Sequence, residues 1–280
     1  MSEESAAQTI RISSWDQYIA ILNSKPPDAQ LFRGQRDPGW KLASPWERRI
    51  CWMGDYLKPI QTVREMFYGN CYAANRDRFL KVFRDSLSKN DPRVAEWPDD
   101  QLWALGRHHG LITPLLDWTW DGRIAAFFAF SDHCKWMLGD DPVTALCQER
   151  QRQIPNVGVW ELSLQPCPFS PTEFELVTST PSEFAGRQQA QRGVFTRLAT
   201  DKHFDVAAYL QSRGLRNNLK CYELSPAIAS TAFDYFERTG INHASLFPDP
   251  QGAAEHSNFR CRFMHSTLED LARTGDGHRR

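Results

Sequence analysis

No stretch of this 280-residue chain approaches the ~20 consecutive apolar residues of a membrane span. Its opening, Met1-Ser2-Glu3-Glu4-Ser5, lacks the basic and apolar regions of a secretory signal. A cytoplasmic protein is expected, or one exported without a signal peptide, with no membrane partner. Charge of one sign is also missing. The 33 Lys and Arg residues against 34 Asp and Glu give a formal net charge of -1, so no broad nucleic-acid footprint is expected, since that needs a dominant basic face. The seven cysteines are scattered and form no Cys-x-x-Cys pair, which argues against a zinc ribbon or a disulfide scaffold. Neither an internal repeat nor a low-complexity linker divides the chain.

What is present is a globular composition, 41% hydrophobic and 24% charged, enough for a sizeable core. Residues 13–24 read as an amphipathic helix capped by Ser13 or Ser14 and ended by Pro26-Pro27. Gln30 to Gly34 reads as a short strand, residues 59–88 as a long helix broken near Gly69-Asn70, and residues from Asp99 or Asp100 to His108 as a second helix. The apolar run Arg123 to Phe130 reads as a buried helix beginning after Asp121, its alanines suited to close packing on a sheet. A polar, irregular stretch from Gly139 to Pro155 precedes a strand-rich half, with strands at 158–164, 174–177, 194–198 and 219–224. Helices are expected there at 203–213, 226–239 and 266–273. The fold class is α+β in a single domain, with an N-terminal helical segment over 1–29, the main domain over 30–256 and a C-terminal helix and tail over 257–280.

The segment Gly106 to Thr119 concentrates two histidines, a carboxylate and hydroxyls among apolar residues. Polar groups in such a setting must be bonded internally or used on a ligand, because burying one unpaired costs a few kcal/mol. No metal is expected. The adjacent His108 and His109 point apart, and Cys261 with His265 supply only two ligands.

Four runs together resemble the FRG domain family over about residues 30–255. They are Phe32-Arg33-Gly34-Gln35, the stretch His108 to Thr119, the stretch Arg187 to Thr196, and Gly240-Ile241 with Ser245 to Asp249. Arg107 stands where the family often has Gln, and Pro114 where it often has Arg. The family is similar to the ADP-ribosyltransferase fold, which implies a split, mostly antiparallel β-sheet flanked by helices and clasping NAD. It also implies an arginine from the first strand, matched by Arg33, and hydroxyls from a second motif, matched by Thr113 and Thr119. A glutamate from a third motif falls near Gln191, where none stands.

The residues themselves allow two readings at most of these positions. Arg33 can hold a phosphate through its planar guanidinium, with Gly34 letting a ligand approach the backbone, or it can pair with Asp117. His109 can donate to a ligand or bond the free carbonyls of a helix end. Asp117 and Thr119 can cap the following helix, or line a pocket whose helix N-terminus faces a diphosphate. Arg187, one helical turn before Gln191, shares its face and lines the same cleft, or lies on the surface. Gln191 can bind a ribose hydroxyl but brings no charge to an oxocarbenium-like state. Glu161, Glu173, Glu175, Glu183 and Glu223 read as solvated surface residues, and Ser245 to Asp249 as a packed turn.

The expected activity is therefore that of an NAD-binding, ADP-ribosyltransferase-like protein. Arg33 and Gln191 hold the catalytic places, and Arg33, Gly34, His109, Thr113, Asp117, Thr119 and Arg187 line the nucleotide site. Transfer to a protein acceptor, a glycosyltransferase reaction, and NAD glycohydrolysis both stay open, as does a role as a toxin or defence effector. The rival is a non-enzymatic nucleotide- or partner-binding module that keeps the fold.

Overall fold

The computed structural model describes residues 7–49, 71–138, 156–178, 185–199 and 205–264. Among these residues, seven strands form one sheet: β1 (Gln8–Ile12), β2 (Gln30–Gln35), β3 (Leu115–Thr119), β4 (Val157–Ser163), β5 (Phe174–Val177), β6 (Gly193–Leu198) and β7 (Leu219–Leu224), in the order β1-β7-β4-β2-β3-β6-β5. Only the β1–β7 pairing is parallel. The helices are α1 (Trp15–Asn23), α2 (Cys71–Ser88), α3 (Asp99–His108), α4 (Gly122–Leu138), α5 (Gly186–Ala190), α6 (Val206–Ser212), α7 (Ala229–Thr239), α8 (His243–Leu246) and α9 (Pro250–Met264). The α+β class and most elements match the expectations from sequence.

Two features differ, and part of what was expected falls outside the described residues. The N-terminal segment contributes not only a helix but also the edge strand β1, paired with β7. Of the long helix expected over 59–88, residues 71–88 are helical and the remainder lies outside the described residues, as do the stretch 139–155 and the helix expected at 266–273. A helix that the pattern did not announce, α9, runs from Pro250 to Met264.

Strand alternation divides the core. Phe32, Val157, Val159, Tyr222 and Leu224 pack with α1, α4 and α7 on one face, while their neighbours Leu31, Leu162 and Leu219 pack with α6 on the other. A third cluster joins α2 and α3 to Leu115, Val177 and Phe195. The α4 alanines do what small residues allow: a Cβ on Gly34 of β2 would lie 1.9 Å from the Ala125 carbonyl oxygen and 2.9 Å from the Ala129 nitrogen. Gly34 is therefore demanded by helix–strand contact. The expected approach of a ligand along its missing side chain is corrected accordingly, because α4 backbone already fills that direction.

The two halves of the sheet meet at a weak seam. β2 pairs with β4 at six positions, but with β3 at one, Phe32 opposite Thr119. Beyond that position the strands part, and the candidate site lies in the opening.

Candidate functional site

A cleft of about 650 Å³ opens at the seam, within the range usual for small-molecule sites. Its lining brings together Arg33, Gly34, His109, Asp117, Thr119, Arg187 and Gln191 from strands and helices far apart in the chain. Thr113 is not among the lining residues. It is fully buried, its carbonyl accepts from Trp46 N–H (3.1 Å), and the place expected for it in the pocket is corrected to one behind the wall.

Arg33 lies in β2 between Phe32 and Gly34, so alternation turns its Cβ to the other face. Its guanidinium nevertheless reaches β3, where Nη1 donates to the Asp117 carbonyl (2.9 Å) and stands 3.5 Å from the Asp117 carboxylate. The side chain thus bonds a β3 backbone carbonyl in the opening beside the single pairing position. Its Nε is buried with no hydrogen-bond partner among the described residues. Burial pushes the Arg33 guanidinium down to about 10, with the Asp117 charge opposing and Arg48 and Arg107 adding to the fall; it remains a cation at neutral pH.

The expected Arg33–Asp117 pair is present but secondary. The principal partner of Asp117 is Arg107, whose Nε donates to both carboxylate oxygens (2.9 and 3.1 Å) while Nη2 donates to Oδ2. This fork-on-carboxylate geometry is the strong, charge-assisted kind. Burial works to raise the Asp117 carboxyl, yet the Arg107 and then the Arg33 charges outweigh it and hold the group down at about 2. Arg107 departs from the family pattern, and nothing in its local sequence at the end of α3 points to its partner ten residues on. Arg48, beside Glu47, adds a third guanidinium to this region.

Among the described residues, Asp117 is the only carboxylate lining the cleft. Glu161, expected at the surface, is 2% exposed. It accepts from Lys25 (2.9 Å) and from the Tyr222 hydroxyl (2.6 Å). Glu175 pairs with Arg197 and Glu173 with Arg213, Glu223 faces Arg11, and Glu183 lies outside the described residues.

The hydroxyl of Thr119 has its hydrogen committed, donating to the Gln191 carbonyl (2.7 Å) and accepting from Asp121 N–H (3.1 Å). Asp121 in turn accepts from Arg123 N–H (2.9 Å) and so caps α4. Trp118 is buried and donates to the Thr196 hydroxyl (2.8 Å).

The opposite wall comes from α5 and the segment after α8. Arg187 donates to Asp249 (2.6 Å), Gln251 (3.0 Å) and the His108 carbonyl (3.4 Å), and lies over the Phe247 ring. The turn Ser245 to Asp249 packs through Leu246, as expected, but Phe247 also lines the cleft. His109 closes α3 with its backbone N–H on the Gly106 carbonyl (3.1 Å) and lines the cleft together with His108. The His108 ring lies against Phe195, and burial lowers its proton affinity. Phe128 and Gln188 also line the cleft and were not singled out by sequence reasoning. Gln188 shares the short helix with Arg187, and Phe128 was hidden in the uniformly apolar α4.

Among the described residues, no group of three or more His, Cys, Asp or Glu side chains could hold a metal ion, and no helix is long and apolar enough to cross a membrane.

Fold and site together define an α+β protein with a cationic cleft at a sheet seam. The FRG domain model matches residues 28–136, which include Arg33, Arg107 and Asp117 but not Arg187 or Gln191. No curated protein and no solved structure matches the chain.

Proposed function

We propose that the cleft binds a nucleotide through its phosphates, NAD being the expected occupant, and that the protein acts by binding it. The observation that carries this reading is that Arg33 and Arg107 share the one carboxylate that, among the described residues, lines the cleft. Among the described residues that leaves a surplus positive charge at the pair, and Arg48, itself beside Glu47, adjoins them. Guanidinium groups suit phosphate because their donors match its oxygens in pairs. Phe32, Phe128, Phe195 and Phe247 line the same space and offer ring faces and edges to a base.

Binding is favoured over turnover by the state of the polar groups. Splitting the nicotinamide–ribose bond develops positive charge on the sugar, which a free carboxylate would offset. Asp117 is bound by Arg107, and Gln191 is neutral. This supports the non-enzymatic reading within an ADP-ribosyltransferase-like frame, and leaves transfer to a protein acceptor, NAD glycohydrolysis and an effector role as the alternatives.

Calorimetric titration with NAD and ADP, alongside measurement of nicotinamide release, tests the proposal. Binding is expected, and Arg33→Gln should weaken it roughly 10- to 100-fold, as loss of a charge-assisted hydrogen bond does. Failure of the wild-type protein to bind either nucleotide would sink the idea. Release of nicotinamide at roughly 1 per second or faster, an ordinary enzyme rate, would restore the transferase or glycohydrolase reading.

A further inference from the structure

A second hollow, of about 280 Å³, opens where α7, α8 and α9 meet α4. Five of its lining side chains are aromatic. Phe127 comes from α4, Phe233 and Phe236 from one face of α7 at i, i+3 spacing, His243 from the start of α8 and Phe259 from α9. The five form a closed cycle in which each ring touches the next. Ring centres are 5.5 Å apart from Phe127 to Phe236, 5.7 Å from Phe236 to Phe233, 5.2 Å from Phe233 to Phe259, 5.0 Å from Phe259 to His243 and 5.0 Å from His243 back to Phe127. Neighbouring rings are inclined at angles from 48° to 86°, so none lies flat on the next and together they stand like the walls of a box. Gly240 closes the cycle: it ends α7 in the left-handed region (φ 71°), from which the chain turns into α8 and brings His243 beside Phe127.

The polar groups around this box favour a positive occupant. His243 is uncharged at neutral pH, since burial and then the Lys135 charge hold its proton affinity down at about 4, and its Nε2 is bonded to the Ser131 hydroxyl (2.8 Å). Arg260 is spent on Glu237 (3.1 Å). Asp234 stands exposed on the rim, and its carboxylate enters no ion pair among the described residues. Asn242 and His256 are the other polar groups on the lining.

We infer that this hollow binds a small organic cation of the methylated or quaternary ammonium class, held by the rings and drawn in by Asp234. A phenyl face attracts a cation within ~6 Å of the ring centre, and centres spaced as these are keep a group at the middle of the cycle within that reach. Methylation suits the walls, because a bare ammonium would bring N–H groups that rings cannot properly satisfy and would give up more hydration on entry. A hollow just below the ~300 Å³ at which small-molecule sites usually begin takes a compact head group. The site is distinct from the seam cleft, since the adjacent α4 residues Phe127 and Phe128 line one each, and the inference does not depend on the nucleotide reading.

Calorimetric titration of the full chain with choline, tetramethylammonium and 3,3-dimethylbutan-1-ol tests this, the last having the shape of choline with carbon in place of the charged nitrogen. Both cations should bind, and the neutral alcohol should bind about tenfold more weakly than choline, the worth of a cation's attraction to desolvated rings. Phe259→Leu keeps apolar bulk but removes a ring face, so it should weaken choline about 2- to 5-fold and leave the alcohol near its wild-type value. Asp234→Asn, at an exposed position, should weaken choline by a factor that shrinks as salt is raised. Equal binding of choline and the alcohol to the wild-type protein overturns the cation assignment and makes the hollow a plain apolar pocket. Choline binding that neither substitution alters overturns the placement, because the cation then sits elsewhere. Absence of binding by both cations at roughly 10 mM, weaker than the ~4 kcal/mol of a millimolar complex, overturns the inference outright. The comparison of choline with its neutral counterpart on the wild-type protein decides the matter even if Phe259→Leu does not fold.

Discussion

At the scale of single residues, Asp117 holds the largest consequence. It neutralises Arg107 through a forked contact and stands 3.5 Å from Arg33, so Asp117→Asn would leave two guanidinium groups at the seam without their counter-charge. Its side chain is 37% exposed, and water screens part of the loss. The expected cost is about 1–3 kcal/mol rather than the larger figure for a fully sealed pair, read from the shift in urea midpoint at neutral pH. The sign of the pH dependence follows from the carboxyl being held at about 2 against an ordinary 3.8. A carboxyl lowered by folding takes up a proton on unfolding, so its contribution is complete above pH ~4 and is lost as pH falls through ~2. The wild-type protein should therefore lose stability between those limits, and Asp117→Asn should lack that share of the loss. An identical acid profile in both proteins would show that the arginines do not act on this group.

At the scale of elements, the contact between β2 and α4 makes the sharpest prediction. Gly34→Ala places a Cβ 1.9 Å from the Ala125 carbonyl oxygen, and backbone cannot swing aside as a flexible side chain would. The variant should be destabilised by about 3 kcal/mol, at the upper end for overpacking, as measured by urea denaturation. A change under about 1 kcal/mol would mean that α4 rides farther from the sheet. This contact was partly legible in the sequence, since the alanines of α4 announced close packing and the Phe-Arg-Gly strand announced β2. Elements held by distant partners were not legible. β1, Gln-Thr-Ile-Arg-Ile, is a mostly exposed edge strand whose partner β7 lies more than 200 residues away. α9 begins at Pro250 and carries few apolar residues. Glu161 misled for a related reason. β4 is buried on both faces, so alternation along it reports direction and not exposure, and the lysine that balances Glu161 comes from 136 residues away. The site residues follow the same rule. Arg33, Asp117, Arg187 and Gln191 could be named from local runs, but which cation takes which anion depended on α3 delivering Arg107 to β3.

At the scale of the whole molecule, the sheet is two well-paired pieces joined at one position. The piece β1-β7-β4-β2 is laced by the long β4–β7 and β2–β4 pairings, and the piece β3-β6-β5 by its own. Across the seam stand the Phe32–Thr119 pair, the Arg33 bond to the Asp117 carbonyl, and α4, which touches β2 through Ala125 and adjoins β3 in sequence. Amide groups open to exchange by local fluctuation where few contacts oppose it. The seam-facing amides of β2 and β3 should therefore exchange faster than those of the β4–β7 ladder. A ligand in the cleft touches lining residues from both pieces, so it closes the seam as well as filling it. Bound nucleotide should slow exchange at the seam-facing amides first. At a ligand concentration of 100 times Kd it should also raise global stability by about 2.7 kcal/mol. Hydrogen exchange with and without ADP distinguishes this from generic tightening. If protection rises equally in the β4–β7 ladder and at the seam, the ligand acts only on global unfolding, and the two pieces already behave as one sheet without it.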